Sequence, residues 1–554
     1  MHLYRGFETD APVSVTSDSV GSFCTSDNIC VTPATCELHR ESSLNPPGFT
    51  VDPCLHSLGG GTYVPPAQPA FFFLSSFMLL CSFEDDRVLH LRPLVETRAA
   101  FDLRLGIRSI LETAVDAFPD ARARLLLHTR SSVAEVTARE HPDATVLSRS
   151  DSMPSSEDPV FGGSGILFVN GRWVAEGPAL DAIREAVPAR DRPCAFVSRP
   201  KAAGGEASGA EAASGEASGN ELVGNDSSRS DPSDVVVAAW MPQANLPADA
   251  IHPNDLSGLF DDLPIERLDA APTMIDHVWD LLPLIGPSIR RDAAHLLSSD
   301  LSPTLSDRSG ASVHPSVVAT APERIYIAPG AAIRPGAILD ASKGPIYIDR
   351  DATVFEQAVV RGPVYLGPKS QIKVQADVAD TAIGTWCKVG GEVHDSVFHS
   401  YSNKSHPGFL GHSYLGRWCN LGADTNTSNL KNDYGSVSLY VPAERQRVDS
   451  GLQFAGLFMG DHSKCGINTM FNTGTVVGTG CNIYGAGFPP GYVPPFSWGG
   501  PEHGFSTYRL DKALEVADTV MQRRDTILDA AEADLLRTLH ERSAPEREAM
   551  TYTP

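Results

Sequence analysis

The chain has 554 residues, 42% of them hydrophobic and 20% charged, with a formal net charge of −24 at pH 7. Those proportions fit a globular protein with core enough for two or three domains. A surface this negative repels a polyanion, which argues against nucleic acid as a partner. Only nine of the 44 basic residues are lysine; an acidic, lysine-poor surface suits high salt and is equally what codon bias can produce.

From the N-terminus, residues 1–77 are rich in Ser, Thr, Pro and Gly and read as a disordered extension or a miscalled start, with Met78 an alternative first residue. Cys24, Cys30 and Cys36 are each separated by five residues, wider than zinc sites favour. The apolar run Ala70 to Phe83 is short for a membrane span and lies too far in for a signal peptide. Leu79–Phe83 reads instead as the first strand of a folded domain, and the protein reads as cytoplasmic with no membrane partner.

Residues 78–300 alternate strand-like runs (79–83, 123–128, 166–169, 235–240) with helical ones (106–117, 276–297), an α/β pattern. Residues 199–234, where Gly-Glu-Ala-Ser-Gly occurs twice, are too low in complexity to bury a core and read as an insertion. Residues 301–320 read as a linker. No Gly-rich phosphate loop follows the first strand; Glu84-Asp85-Asp86-Arg87 stands there. Asp85 and Asp86 either hold Mg²⁺, with Arg98 and Arg104 meeting phosphate, or form a turn and helix-face salt bridges.

An apolar residue then recurs every sixth position: Ile327, Ile333, Leu339, followed by Ile348, Val354, Val360, Leu366, Ile372 and Val378. A second run holds Met459, Cys465, Phe471, Val477 and Ile483. A period of six fits neither helix nor alternating strand and is the hexapeptide signature of a parallel β-helix. Residues 321–500 would then hold roughly ten coils, with Cys465 a small core residue on the beat. Residues 505–543 read as a helical tail packed on the coil end or on a neighbouring subunit.

The rhythm breaks over 391–456, where polar residues crowd: His399, Lys404, His406, His412, Tyr414, Asn429 and Lys431. A solenoid core needs none of these, and loops leaving a rigid scaffold collect binding residues.

Gly411-His412-Ser413-Tyr414-Leu415-Gly416 followed by Asn420-Leu421-Gly422-Ala423 resembles the acetyltransferase half of the bacterial bifunctional enzymes that make UDP-N-acetylglucosamine from glucosamine-1-phosphate. Residues 78–540 are similar to a diverged sugar-nucleotidyltransferase branch of that family. The segments carrying this are Phe83-Glu84-Asp85, Arg92-Pro93-Leu94, Asp102 to Gly106 and Phe458-Met459-Gly460-Asp461-His462-Ser463-Lys464.

The resemblance implies a nucleotidyltransferase-like α/β domain followed by a left-handed parallel β-helix, assembled as a homotrimer. It implies acetyl transfer from acetyl-CoA to the amine of a hexosamine-1-phosphate, in nucleotide-sugar synthesis. His412 falls on the catalytic position, and an imidazole suits the removal of an ammonium proton near neutral pH. Lys404 would hold the sugar phosphate, Tyr414, Asn429 and Lys431 would contact the sugar or the developing oxyanion, and Ala423 and Gly466 would border the CoA arm. Two departures stand out. One residue separates His412 from Tyr414 where the family has two, and the family's phosphate-binding lysine is replaced near His394. Two alternatives follow: nucleotidyl transfer by the first domain from a nucleoside triphosphate to a sugar phosphate, with the coil serving trimerisation, or a metal-dependent hydratase or scaffold using the coil's histidines.

Overall fold

In the first domain the strand-forming runs are apolar on both faces, as a parallel sheet covered on both sides requires. The computed structural model describes residues 78–119, 125–148, 164–199, 234–246, 256–297 and 310–550. The expectations for residues 1–77, including the early cysteines, and for residues 200–233 lie outside the described residues. The strands are β1 (Met78–Phe83), β2 (Leu125–Thr129), β3 (Thr145–Ser148), β4 (Gly165–Asn170), β5 (Cys194–Ser198), β6 (Val235–Pro242) and β7 (Ile265–Arg267). They form one sheet in the order β3-β2-β1-β4-β6-β5-β7. β1 lies parallel to β2 and β4, while β6 runs antiparallel to both β4 and β5.

The C-terminal half winds through parallel ladders. One face is an eleven-stranded sheet from Ser312–Val313 to Gly504–Thr507, whose last pair alone is antiparallel. Its inward column reads Val313, Ile333, Val354, Ile372, Val389, Lys404, Leu421, Cys465 and Ile483. The third face stacks Ile327, Ile348, Leu366, Ile383, Phe398, Leu415, Met459, Val477 and Val493 inward. Lys404 apart, these side chains share one continuous core, with Val313 packed at its end. The coil is therefore a parallel β-helix, and its pairing begins at Ser312, ahead of the expected boundary.

The break in the rhythm is shorter than the sequence suggests. Val393, Phe398, Leu410, Leu415 and Leu421 are all buried core residues, so the coil runs unbroken to Asn426–Thr427. Sides of four or five residues there shift the beat, and Lys404 occupies an inward position that an apolar residue would normally take. Within that break, residues 428–456 leave the coil, carrying an antiparallel hairpin of Ser438–Val441 and Gln446–Asp449.

The outward column of the third face is apolar as well. Tyr326, Tyr347, Tyr365, Ala382, Val397, Tyr414, Phe458, Val476 and Tyr492 follow one another up the ladder. Much of this stripe packs into one cluster with Leu91, Leu94, Leu103, Leu282 and Ile289 of the first domain. Each large side chain buried there contributes about 1.5–3 kcal/mol.

Charged residues then fix the register of that seam. Arg98, 1% exposed, pairs with Asp461, and Thr97 Oγ1 donates to the same carboxylate at 2.8 Å. Arg417 grips Glu140, with Nη2 donating to Oε2 at 2.8 Å. The tail is three helices, Leu510–Gln522, Ala530–Arg542 and Ala544–Glu548, in place of the single one expected. The middle helix packs Leu535 on Val133 and Val136, and Leu536 and Leu539 on Phe496 at the coil end. No helix among the described residues is long and apolar enough to cross a membrane.

Candidate active site

One corner of the coil repeats a left-handed turn residue in three successive turns: Asp380, Asp395 and His412, with φ of 44°, 48° and 47°. A side chain at that corner projects off the prism, which sets His412 beside Asp395. Residues Ala379, His394 and Gly411 are paired just before the corner. The corner thus gathers His394, Asp395 and His412, whose side chains are 29%, 40% and 22% exposed.

His412 Nδ1 lies 3.0 Å from Asn429 Nδ2, and its Nε2 is 3.8 Å from Asp395 Oδ2. His394 Nδ1 is 3.0 Å from the same carboxylate oxygen. Phe454 stacks on the His412 ring at 5.0 Å, and Phe409 meets the His394 ring edge-on at 5.1 Å. Burial lowers the His412 pKa below the usual imidazole range, whereas the hydrogen bond to Asp395 raises that of His394. One imidazole is thus held neutral next to one that favours its proton.

Of the two glycines in the Gly411-to-Gly416 motif, Gly411 keeps space for these contacts and Gly416 for the Asp461 carboxylate at the seam. A Cβ on Gly411 would lie 2.6 Å from Asn429 Nδ2 and 2.9 Å from His394 Cε1. A Cβ on Gly416 would clash with Asp461 Oδ1. Asn429 reaches His412 from the first residues of the excursion. Its neighbours Ser428 and Leu430 line a cavity of about 790 Å³ together with Lys431, Arg447, Asn472 and Phe488. Lys431 Nζ stands 3.3 Å from both Asp433 Oδ2 and the Ser436 carbonyl.

Several residues read as functional lie elsewhere. Lys404 is 1% exposed, and its ammonium donates to the carbonyls of Gly390 and His406 at 2.9 and 3.0 Å. It points into the coil, where burial lowers its pKa to about 8, so it presents no charge to a substrate. Tyr414 is fully buried on the outward stripe. Its hydroxyl donates to the Arg104 carbonyl and accepts from the Arg104 N–H, which removes it from the sugar. His399 is buried against the Asp102 carbonyl at 3.0 Å, and His462 faces Glu532 at 3.2 Å. Ala423 and Gly466 sit at another corner, between the ladders of Leu421–Cys465 and Thr427–Phe471, and are not brought to His412 within this chain.

The first domain shows the same commitment to structure. Ligands of open α/β sheets bind beyond the carboxyl ends of the strands, and ion pairs fill that edge here. Arg172 donates to Asp85 Oδ1 at 2.8 Å and Oδ2 at 2.6 Å, and Asn170 Nδ2 donates to Oδ2 at 2.9 Å. Glu84 receives Arg130 Nε at 3.0 Å and the Ala100 N–H at 2.8 Å. Asp85 therefore does not fit the role of a Mg²⁺ ligand, while Asp86 lies exposed at the start of a short helix. Arg98 is spent on Asp461. Arg104 donates to the Ile107 carbonyl, with its guanidinium 5.6 Å from the centre of the Tyr365 ring. Neither arginine reaches out to a phosphate.

What sequence reasoning missed is Asp395, legible as a polar residue at the corner position that His412 repeats; His394 was read only as the site of a replaced lysine and as one of the coil's candidate metal-binding histidines. It also passed over the outward apolar stripe, visible as an aromatic or aliphatic residue directly before each beat.

Residues 80–300 match the family described as sugar nucleotidyl transferase, so the first domain is nucleotidyltransferase-like. Relatives with a second activity are similar to parts of the chain. The bifunctional protein GlmU of Methanocaldococcus jannaschii is 30% identical over 177 residues, 27% of this chain and 42% of the relative. The bifunctional sugar-1-phosphate nucleotidylyltransferase/acetyltransferase of Sulfurisphaera tokodaii is 32% identical over 150 residues, covering 26% and 36%. The GlmU of Synechococcus sp. strain CC9311 is 27% identical over 155 residues, covering 28% and 29%. The matched regions thus span less than half the length of each of these relatives.

Proposed function

We propose that the chain is a sugar-1-phosphate N-acetyltransferase that uses acetyl-CoA, built on a left-handed coil with a nucleotidyltransferase-like first domain, acting in the cytoplasm as a homotrimer. The observation that carries this reading is His412, held by Asn429 and faced by Asp395 at the edge of the coil. An amine must be neutral to attack a thioester. With the Asn429 amide turned to accept from Nδ1–H, His412 Nε2 is left to take the ammonium proton. The amine nitrogen then adds to the thioester carbon, the C–S bond breaks, and the proton passes from His412 to the departing thiolate; the freed imidazole takes the second proton from the new amide nitrogen and releases it to water. Asp395 steadies the imidazolium formed between those steps. The cavity lined by Lys431 and Arg447 supplies cationic groups for a phosphorylated substrate beside Asn429.

Free thiol release from acetyl-CoA, measured with a panel of amino-sugar-1-phosphates, tests the proposal. Turnover with one sugar, lost in His412→Ala, supports it; absence of release with every sugar sinks it. The family match over residues 80–300 favours a second reading, nucleotidyl transfer to a sugar phosphate. Pyrophosphate release from UTP or dTTP, undiminished in His412→Ala, would select that reading. The donor atoms of His394, Asp395 and His412 lie within 4.8 Å of one another, so a stoichiometric metal there would turn the corner toward hydratase chemistry instead.

A further inference from the structure

We propose that His90, His277 and Glu444 form a binding site for a divalent transition-metal ion at the seam between the first domain and the coil's hairpin. The three come from separate segments: the short helix Asp86–Leu91, the start of the helix Val278–Leu284, and the turn between the hairpin strands. One ligand atom from each lies within 4.8 Å of the others. Glu444 Oε1 is 3.4 Å from His277 Nε2 and 3.8 Å from His90 Nδ1. Ligands about 2.0–2.1 Å from a tetrahedral zinc stand roughly 3.3 Å apart, so small side-chain movements would close the site. Side-chain exposures of 30%, 22% and 27% for His90, His277 and Glu444 leave it open to ions from solution.

The surroundings hold the donors in place. His277 is stacked on Trp279 at 4.3 Å and 5°, with His90 stacked on its ring at 5.6 Å. The Asp280 carboxylate accepts the backbone N–H groups of Asp276 and His277 at 2.9 and 2.8 Å. Gln446 Nε2 donates to Glu444 Oε2 at 2.8 Å, leaving Oε1 toward the imidazoles. Such outer contacts fix ligand orientation in metal sites. The nearby Arg87 charge is faced by Asp276 at 3.7 Å. Two imidazoles and one carboxylate select zinc, cobalt or nickel over magnesium or calcium, and three protein ligands leave a position for water. A bound ion would staple the hairpin, and with it the excursion that carries Asn429, to the first domain. The site is separate from the corner holding His412 and stands whether or not acyl transfer does.

The test is a cobalt(II) chloride titration of the full, chelator-stripped chain, read from visible ligand-field bands. His394→Ala/His412→Ala serves as the background, so that the corner cluster cannot contribute. The expected result is saturation at one equivalent, with affinity at least 10-fold weaker in His90→Ala and in Glu444→Gln. Glu444→Gln exchanges one atom on a hairpin turn and keeps the fold, so a lost signal there reports the site itself. Absence of bands, or bands of equal affinity in both variants, would overturn the proposal.

Discussion

Tyr414 and Arg104 are joined by a pair of reciprocal hydrogen bonds. The phenol donates to the Arg104 carbonyl at 3.1 Å and accepts from the Arg104 N–H at 3.0 Å. A buried phenol that satisfies both main-chain groups of one residue belongs to the seam. Tyr414→Phe leaves that N–H and C=O without this partner, at a cost of about 1–3 kcal/mol. Urea unfolding should show the loss, while thiol release per folded molecule stays within about twofold. A large drop in turnover at unchanged stability would return Tyr414 to the substrate.

At the corner, His412→Ala should slow thiol release by roughly 10²–10⁴-fold, the usual span for a general base. Gly411→Ala tests the same contact from the other side. Its added methyl would lie against Asn429 Nδ2, so it should behave like Asn429→Ala in steady-state kinetics and leave the melting temperature near that of the parent.

The two lysines separate cleanly. Lys431→Met should raise KM for a sugar phosphate, because its ammonium lines the cavity. Lys404→Met should leave that KM unchanged and alter only stability, since the ammonium it removes is sealed in the coil. The reverse pattern would restore Lys404 as the phosphate ligand.

Acid should loosen the seam before it melts the coil. Burial pushes the Glu140 carboxyl up, but the charge and hydrogen bonds of Arg417 outweigh it and bring the pKa from 4.5 down to about 2. A depressed carboxylate contributes its full stability above the unfolded value and loses it as pH falls toward the folded one. The loss should therefore run from about pH 4.5 to about 2 and amount to roughly 3 kcal/mol. Glu140→Gln should flatten that part of a stability-against-pH curve; an unchanged slope would assign the acid limb to another group.

The coil was legible because its core repeats locally, one beat at a time. Its shortened sides were not, since a four- or five-residue side shifts the beat just as an excursion would, and Lys404 on an inward position completed the disguise. His412 and Asn429 were legible by their resemblance to a known motif. The fate of Arg98 was not, because its partner Asp461 lies 363 residues further along the chain and spacing carries no trace of that pairing. The segment Phe458–Lys464 carried the family resemblance, and its partners were hidden for the same reason. Its Phe458, Asp461 and His462 meet the first domain and the tail helix.

The apolar stripe on the third face means that the two halves are not interchangeable cassettes. Cutting the chain between them would expose Tyr365, Tyr414 and Phe458 to water on one fragment, and strand Arg98 without a counter-charge on the other. Neither piece should stay in solution by itself. A truncated enzyme made to study one activity would report on a damaged molecule, and transplanting the coil onto another first domain would require rebuilding that face residue by residue.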